Sequence, residues 1–159
     1  GYTVPVASGV RGQVVSFHDD SDVTVALFAD GSAQPQYTTT VPAGENSGGK
    51  YTAVYDIPGV AAGTYTVQVS KKNHVTREYT VTVGGDTKTQ NAEIWLRGDV
   101  NGDGKVNKDD AIHLLKHVML PAVYKINQSG DMNGDGKMNK DDAIHLLKHV
   151  MLPAIYTLK

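Results

Sequence analysis

Oxygen-bearing side chains recur at a fixed spacing twice in the C-terminal part of the sequence. The stretch DVNGDGKVNKDD at residues 99–110 returns as DMNGDGKMNKDD at residues 131–142. Each copy has the pattern D-x-N-x-D-G-x-x-N-x-x-D, which matches the twelve-residue loop that binds calcium through positions 1, 3, 5, 7, 9 and 12. Oxygen-only ligands are hard donors and favour calcium over zinc or copper. The sequence therefore predicts two calcium ions, one in each copy.

Each loop position predicts a role for its residue. We expect side-chain oxygens at positions 1, 3 and 5, a backbone carbonyl at 7, a bridging water at 9 and a bidentate carboxylate at 12, with a glycine at the sharp turn. Both loops end in Asp, whereas the standard loop ends in Glu, which is one methylene longer. The predicted ligands are Asp99, Asn101, Asp103, Lys105, Asn107 and Asp110, with Gly104 at the turn, and Asp131, Asn133, Asp135, Lys137, Asn139 and Asp142, with Gly136 at the turn.

An acidic, Asn- and Gly-rich turn that binds nothing is the alternative to a calcium loop. Two matches, each followed by a helical segment, make this alternative the weaker one. No helix is expected before the first loop, so each unit is a loop with an exiting helix only. A region of about 60 residues without disulfides is in the size range that needs an additional staple, and an empty loop would hold mutually repelling carboxylates. We therefore expect metal removal to unfold or loosen this half.

The segment after each loop has the periodicity of an amphipathic helix that ends near a proline. In the first copy one broad apolar arc is predicted to be core: Ala111, Ile112, Leu114, Leu115, Val118 and Met119. The opposite face is either an ordinary solvated surface or a surface for a partner. With the preceding loop lysine, this face consists of Lys108, Asp109, His113, Lys116, His117 and Leu120 in the first copy, and of Lys140, Asp141, His145, Lys148, His149 and Leu152 in the second.

The two copies are nearly identical over their whole length. Residues 98–124 and 130–156 differ at three positions, each time by one apolar residue for another. Folding alone would tolerate drift at solvent-facing positions, yet the two outward faces agree throughout. A recent duplication explains this agreement without selection. The other explanation is that each copy presents the same surface to one partner, so that either copy can dock after a half-turn of the module.

The region before residue 97 has a different organisation. Short alternating runs rich in Val, Thr and Tyr are separated by Gly, Pro, Asn and Asp clusters, which predicts a two-sheet β-sandwich of six or seven strands. In TYTVQVS at 64–70, Tyr65, Val67 and Val69 are predicted to point inward. The runs are 10–17, 22–29, 51–57, 64–70, 77–83 and 89–96.

Few residues of this half have a chemistry of their own. The acidic cluster HDDSD at 18–22 could bind a cation, but a solvated turn is favoured. His18 and His74 stand beside turn-forming residues and are predicted to be surface residues. The strand tyrosines are expected in the core or in cross-strand pairs rather than in an exposed row that binds sugar. They are Tyr37, Tyr51, Tyr55, Tyr65 and Tyr79.

Composition excludes several classes of function. The formal net charge is −2, so no global basic surface for nucleic acid or anionic membrane is expected, and no apolar run is long enough for a membrane span. The sequence has no cysteine, which excludes disulfides, thiolate zinc sites and cysteine nucleophiles. Without an initiator Met or a signal peptide, the 159 residues are expected to be a piece of a longer protein, its C-terminal end.

The segments GDVNGDGKVNKDDAIHLLKHVMLP and GDMNGDGKMNKDDAIHLLKHVMLP resemble the duplicated loop–helix segments, or F-hand repeats, of dockerins. These are calcium-dependent modules that attach enzymes and scaffold proteins to cohesins in bacterial cellulosomes. The preceding β-domain is similar in strand pattern and position to the X-module of X-module–dockerin dyads. The resemblance implies that recognition uses loop positions 10 and 11 and the exiting helix, the outward face defined above, with Leu120 and Leu152 as apolar anchors. Lys-Asp replaces the Ser/Thr pairs of many dockerins, which implies a more charged contact.

Together these observations predict an α+β chain: an Ig-like or transthyretin-like sandwich over 1–96 and a small α-helical dockerin over 97–159, with repeats 98–124 and 130–156. The predicted function is non-catalytic assembly through the cohesin of a scaffoldin or cell-surface anchoring protein, in an extracellular bacterial setting. We expect no nucleic-acid partner, no membrane insertion and a monomer when unbound. No nucleophile–base pair or open metal position suggests an enzyme. A calcium-stabilised adhesin or carbohydrate-binding module is the alternative.

Overall fold

The computed structural model describes residues 8–159, so residues 1–7 of the predicted sandwich lie outside the described part. The chain divides after Ile94 into a β unit and a second unit, Trp95–Lys159. The predicted α+β organisation, strands first and two helices after them, is confirmed. Within residues 8–159 no helix is long and apolar enough to cross a membrane.

Two sheets form the first unit. Their strands are β1 Gly9–Ser16, β2 Val23–Ala29, β3 Tyr37–Val41, β4 Glu45–Ser47, β5 Lys50–Pro58, β6 Gly63–Lys71, β7 Arg77–Val83, β8 Lys88–Thr89 and β9 Ala92–Glu93. One sheet has the strand order β4-β5-β1-β8, with β9 also pairing with β1, and the other has the order β3-β2-β6-β7. The pairs β1–β5 and β2–β6 are antiparallel, whereas β8 and β9 run parallel to β1.

One hydrophobic core, to which both sheets contribute, joins them as a sandwich. The predicted register of β6 is confirmed, since Tyr65, Val67 and Val69 are all buried. Four of the five predicted tyrosines lie where expected, Tyr55 and Tyr65 in the core and Tyr37 and Tyr79 against it. The Tyr55 hydroxyl donates to the Gln90 carbonyl at 2.6 Å. Sequence periodicity missed β3 and β4, which are short and largely exposed, and merged β8 and β9 into one strand.

A buried polar corner lies between the end of β1 and the end of β6. His74 is 3% exposed, so its prediction as a surface residue is wrong, whereas His18 is exposed as predicted. The His74 Nε2 accepts from the Phe17 backbone N–H at 3.0 Å, and its Nδ1–H donates to the Lys72 carbonyl at 2.7 Å. The ring is buried because it satisfies backbone groups at the strand end, which the local sequence does not reveal.

The second unit contains two helices, α1 Lys108–Met119 and α2 Lys140–Met151, around a small core. The predicted core arc is correct for Ala111 and Leu114, which are buried, but wrong for three other residues. Ile112, Leu115 and Met119 are 49%, 40% and 70% exposed. Each helix in so small a unit has a partner on one side only, and part of a broad arc therefore stays in solvent. The core consists of Val100, Ala111, Leu114, Met132, Ala143 and Leu146, with Val106, Ile126 and Leu158 against it.

Candidate functional site

Three carboxylates converge in the first acidic loop. Oxygens of Asp99, Asp103 and Asp110 lie within 4.8 Å of one another, although these residues are separated by up to eleven positions in sequence. The backbone wraps around Asp99: its Oδ1 accepts from the Gly102 and Asp103 N–H groups at 3.0 and 3.1 Å, and its Oδ2 from Gly104 at 2.8 Å. The φ of +86° at Gly104 places this residue in the left-handed region, as the turn requires.

The second loop repeats this arrangement. Oxygens of Asp131, Asp135 and Asp142 lie within 4.8 Å of one another. The Asp131 carboxylate accepts from Gly134, Asp135 and Gly136 at 3.0, 3.2 and 2.9 Å. Two loops with the same hydrogen bonds provide two equivalent clusters of carboxylate oxygens.

The last loop residue also lies in the first turn of the helix, since Asp110 is the third residue of α1. Asn107 is the N-cap of α1, and its side chain accepts from the Asp109 N–H at 3.0 Å. In return, Asp110 Oδ2 accepts from the Asn107 N–H at 2.9 Å, which completes a capping box. The short Asp side chain thus reaches the loop backbone and the carboxylate cluster together. Asn139 and Asp142 form the same box at α2.

Burial sets the electrostatics of the first cluster. Asp99 and Asp110 have no exposed surface, and burial, with smaller contributions from the neighbouring carboxylates, raises the pKa of Asp99 to about 7. Burial also raises the pKa of Asp110. Desolvated carboxylates close together are unfavourable unless a cation neutralises them. A hard dication with several oxygen ligands would do so, and the donor set therefore fits calcium.

The remaining predicted ligands are asparagine side chains and lysine backbone carbonyls, which do not belong to the carboxylate clusters. Asn101 and Asn133 lie beside them, since each side-chain oxygen accepts from the N–H of the Asp two residues on, at 3.2 and 3.1 Å. Asn107 and Asn139 use their side-chain oxygens as helix caps. Their predicted role through a bridging water, and that of the Lys105 and Lys137 carbonyls, remain predictions.

Sequence analysis missed two residues that hold the first loop in place. Asn127 Nδ2 donates to the Asp99 carbonyl at 2.9 Å, and Gln128 Nε2 donates to the Leu96 carbonyl at 3.0 Å. Gln128 Oε1 accepts from the Gly98 N–H at 2.9 Å. In the second copy the Lys159 N–H, at the position equivalent to Asn127, donates to the Met132 carbonyl at 3.2 Å. The signal was the Asn-Gln pair just after the first repeat, where the two copies stop matching.

The predicted partner face has two parts. Lys108, Asp109, Lys116 and Leu120 are exposed, as are their counterparts Lys140, Asp141, Lys148 and Leu152. The histidines differ: His113, His117, His145 and His149 are half-buried, and one nitrogen of each ring bonds to a backbone carbonyl of the same unit.

An apolar groove lies between the two helices. It has a volume of about 470 Å³. Four residues from each helix line the groove, and the two sets are equivalent because the sequence repeats. The lining residues are Lys108, Ala111, Ile112 and Leu115 from α1, and Lys140, Ala143, Ile144 and Leu147 from α2.

Comparison with known proteins finds a family match within the second unit. Residues 97–151 match the family model of the dockerin type I domain. Over 89% of this chain and 94% of theirs, two solved chains are similar at a TM-score of 0.34, with 25% and 23% identity. They come from an N-terminal and a C-terminal interface mutant of a type II cohesin–X-dockerin complex from Acetivibrio cellulolyticus. No curated protein matches the chain significantly. The family match confirms the predicted resemblance of residues 97–151 to dockerins.

Proposed function

We propose that this chain is a non-catalytic assembly module whose dockerin unit folds around two calcium ions and docks on a cohesin. The family match over residues 97–151 is the observation that carries the proposal. Each carboxylate cluster would hold one ion, with the predicted asparagine and carbonyl ligands completing the shell. Calcium would neutralise the buried charges and fix the helix that each loop begins. The cohesin would belong to a scaffoldin or a cell-surface anchoring protein outside the bacterial cell.

The exposed residues of both helices make up the docking surface. Ile112, Leu115, Ile144 and Leu147 are 40 to 49% exposed and line the shared groove, so a partner that covers it buries apolar area from both copies. The exposed Lys108 and Lys140 also line the groove and favour an acidic rim on the partner. Since the copies are nearly identical, the surface looks the same after a half-turn, which supports two docking orientations.

The β-sandwich is proposed to be an X-module, residues 1–96, that stabilises or orients the dockerin. The alternative, a carbohydrate-binding or adhesive module, would need an exposed row of aromatics. Instead, Tyr55 and Tyr65 are in the core, and Tyr37 and Tyr79 pack against it. The free chain is proposed to be a monomer without nucleic-acid or membrane partners.

Calorimetry against a panel of cohesins of different types, in millimolar calcium and in excess EGTA, tests this function. We expect tight binding in calcium and none in EGTA. Leu115→Ser combined with Leu147→Ser should weaken binding at least tenfold or so, because both changes introduce hydroxyls into the groove. Val54→Ser is the matched control, since Val54 is 67% exposed but lies on the sandwich. If no cohesin binds while calcium still stabilises the chain, the assembly function is refuted.

The two docking orientations are tested by knocking out one outward face at a time. One variant changes Asp109, Lys116 and Leu120 to Ala, and the other changes Asp141, Lys148 and Leu152 to Ala. Two equivalent orientations predict that binding survives either variant but not both together. Loss of binding in one variant alone would mean that only one copy is used.

A further inference from the structure

The two histidines of each helix donate hydrogen bonds to the segment that follows the helix. His113 Nε2–H donates to the Lys125 carbonyl at 2.7 Å, and His117 Nδ1–H donates to the Tyr124 carbonyl at 2.6 Å. The ring of Tyr124 stands edge-on to the ring of His113, with centroids 6.2 Å apart, and Lys116 Nζ lies 5.4 Å from the Tyr124 centroid. Side chains of three helix residues therefore hold the following segment against α1, and we call these residues, His113, Lys116 and His117, the clamp.

The second copy repeats this clamp. His145 Nε2–H donates to the Thr157 carbonyl at 2.8 Å, and His149 Nδ1–H donates to the Tyr156 carbonyl at 2.7 Å. Tyr156 stands edge-on to His145 at 6.3 Å, and Lys148 Nζ lies 5.3 Å from its centroid. The lysine at position 125 becomes a threonine at 157, yet the bond persists because only the backbone carbonyl is used. The clamp is thus a property of the repeat.

Between the helix and the segment that its clamp holds lies a tight turn with apolar side chains in solvent. The Val123 and Tyr124 N–H groups both donate to the Leu120 carbonyl at 3.0 Å. Met119, Leu120 and Val123 are 70%, 53% and 66% exposed. We call these three residues, with Met151, Leu152 and Ile155 in the second copy, the apolar ends. Their exposures in the second copy are 69%, 48% and 68%.

We propose that the histidine pairs are positioning residues that fix the apolar ends for docking, instead of contacting the cohesin themselves. The inference rests on the proposed function. A ring that is half-buried and already bonded to its own chain offers little to a partner. The turn that it fixes, by contrast, carries exposed apolar side chains next to Leu120, the predicted anchor. A preorganised turn lowers the entropy that docking would otherwise lose.

Donor-retaining and donor-free substitutions separate the two roles. Glutamine can place its amide near the Nε2 position of histidine and asparagine near the Nδ1 position. The variant with H113Q, H117N, H145Q and H149N therefore keeps all four bonds, whereas leucine at the same four positions removes them. Positioning predicts near-wild-type cohesin affinity for the first variant and about a tenfold or larger rise in Kd for the second. Equal losses in both variants would show direct contact by the rings and overturn the proposal.

A double-mutant cycle tests whether the histidines act through the apolar ends. The variant with alanine at Leu120, Val123, Leu152 and Ile155 removes much of those ends. On this background the four leucine changes should raise Kd by less than about threefold, because the surface that the clamp positions is gone. A full, additive loss on the same background would contradict positioning.

Hydrogen exchange on the free, calcium-loaded chain gives a readout that needs no cohesin. Leucine at His113 and His117 alone should speed exchange of the Val123 and Tyr124 amides, while the untouched second copy serves as the internal control and shows that the unit is folded. Unchanged exchange at these amides would overturn the clamp itself. If the wild-type chain binds no cohesin, the proposed function fails together with the docking role of the clamp, and the exchange result still decides whether the clamp exists.

Discussion

Replacing Asp110 by Asn should have opposite consequences with and without calcium. The change keeps the shape of the side chain but removes one of three carboxylates whose oxygens lie within 4.8 Å of one another. With calcium, the ion loses a charged ligand. Without calcium, the cluster loses a buried charge that repels its neighbours. A residue that served only the fold would destabilise the unit under both conditions.

The expected sizes follow from the cluster geometry. A calcium site at about a thousandfold excess over its Kd adds roughly 4 kcal/mol to the free energy of unfolding, and a hundredfold rise in Kd would remove about 2.7 kcal/mol of it. Without calcium, each like-charge pair at this separation costs at least about 3.5 kcal/mol at an effective dielectric constant near 20. Weaker hydrogen bonds from the Asn107 and Asn101 N–H groups offset part of the relief. We therefore expect lower stability in calcium, and unchanged or higher stability in EGTA.

Fluorescence of Trp95 provides the assay. It is the single tryptophan of the sequence and belongs to the second unit. Its Nε1 lies 3.3 Å from where a Cβ on Gly102 would be, so it reports on the first loop. Urea unfolding followed at pH 8 keeps Asp99 mainly ionised, because the pKa of its buried carboxyl is about 7.

Asp109→Asn is the matched control. Asp109 is the neighbouring acid, is exposed and lies outside the carboxylate cluster. In the first turn of α1 its charge contributes at most about 1 kcal/mol, with or without calcium. Equal losses for the two variants in calcium, or a clear loss for Asp110→Asn in EGTA, would refute the account of the loop as a metal-neutralised cluster.

Two further predictions concern stability. Burial lowers the pKa of His74, so below pH 6.5 the folded sandwich should bind fewer protons than the unfolded chain. Its free energy of unfolding should therefore decrease as the pH is lowered from 6.5 towards the folded-state pKa, by up to about 1.4 kcal/mol per pH unit. Urea midpoints by circular dichroism between pH 5 and 7.5 check this: His74→Gln should flatten the dependence and His18→Gln should not. In α1, Leu114→Ala should cost about 3 kcal/mol in calcium and Leu115→Ala less than about 0.5, since Leu114 is 0% and Leu115 40% exposed; similar losses by Trp95 fluorescence would contradict the burial pattern.

Sequence patterns of a few residues predicted the features that depend on neighbouring residues only, namely the register of a strand and the arrangement of the loop ligands. The alternation in TYTVQVS gave the register of β6, and the oxygen spacing brought Asp99, Asp103 and Asp110 together. Long-range packing decided the rest. The buried His74 accepts a hydrogen bond from the Phe17 backbone N–H, 57 positions away in the sequence, and a local sequence pattern cannot reveal such a contact.

The outward face was predicted from angle alone, and angle does not show where the following segment goes. At 100° per residue His113 and His117 fall opposite the core, on a face that this angle predicts to be either solvated or a surface for a partner. In the structure, residues 124 and 125 fold back over that side, and their backbone carbonyls accept a hydrogen bond from one ring nitrogen of each histidine. Similarly, Ile112 and Leu115 fall on the apolar arc but line an open groove, because two helices cannot cover a broad arc on both sides.

Two different causes can explain why the two copies are nearly identical. Loop aspartates, capping asparagines, core residues and clamp histidines have intramolecular roles, so folding suffices to keep each pair alike. The exposed positions carry the remaining question: Lys108, Asp109, Ile112, Leu115 and Met119 are solvent-facing and recur unchanged at the corresponding positions of α2. A recent duplication would leave these positions free to diverge without loss of binding. A partner that reads both copies would hold them fixed, and the single-face knockouts distinguish these two explanations.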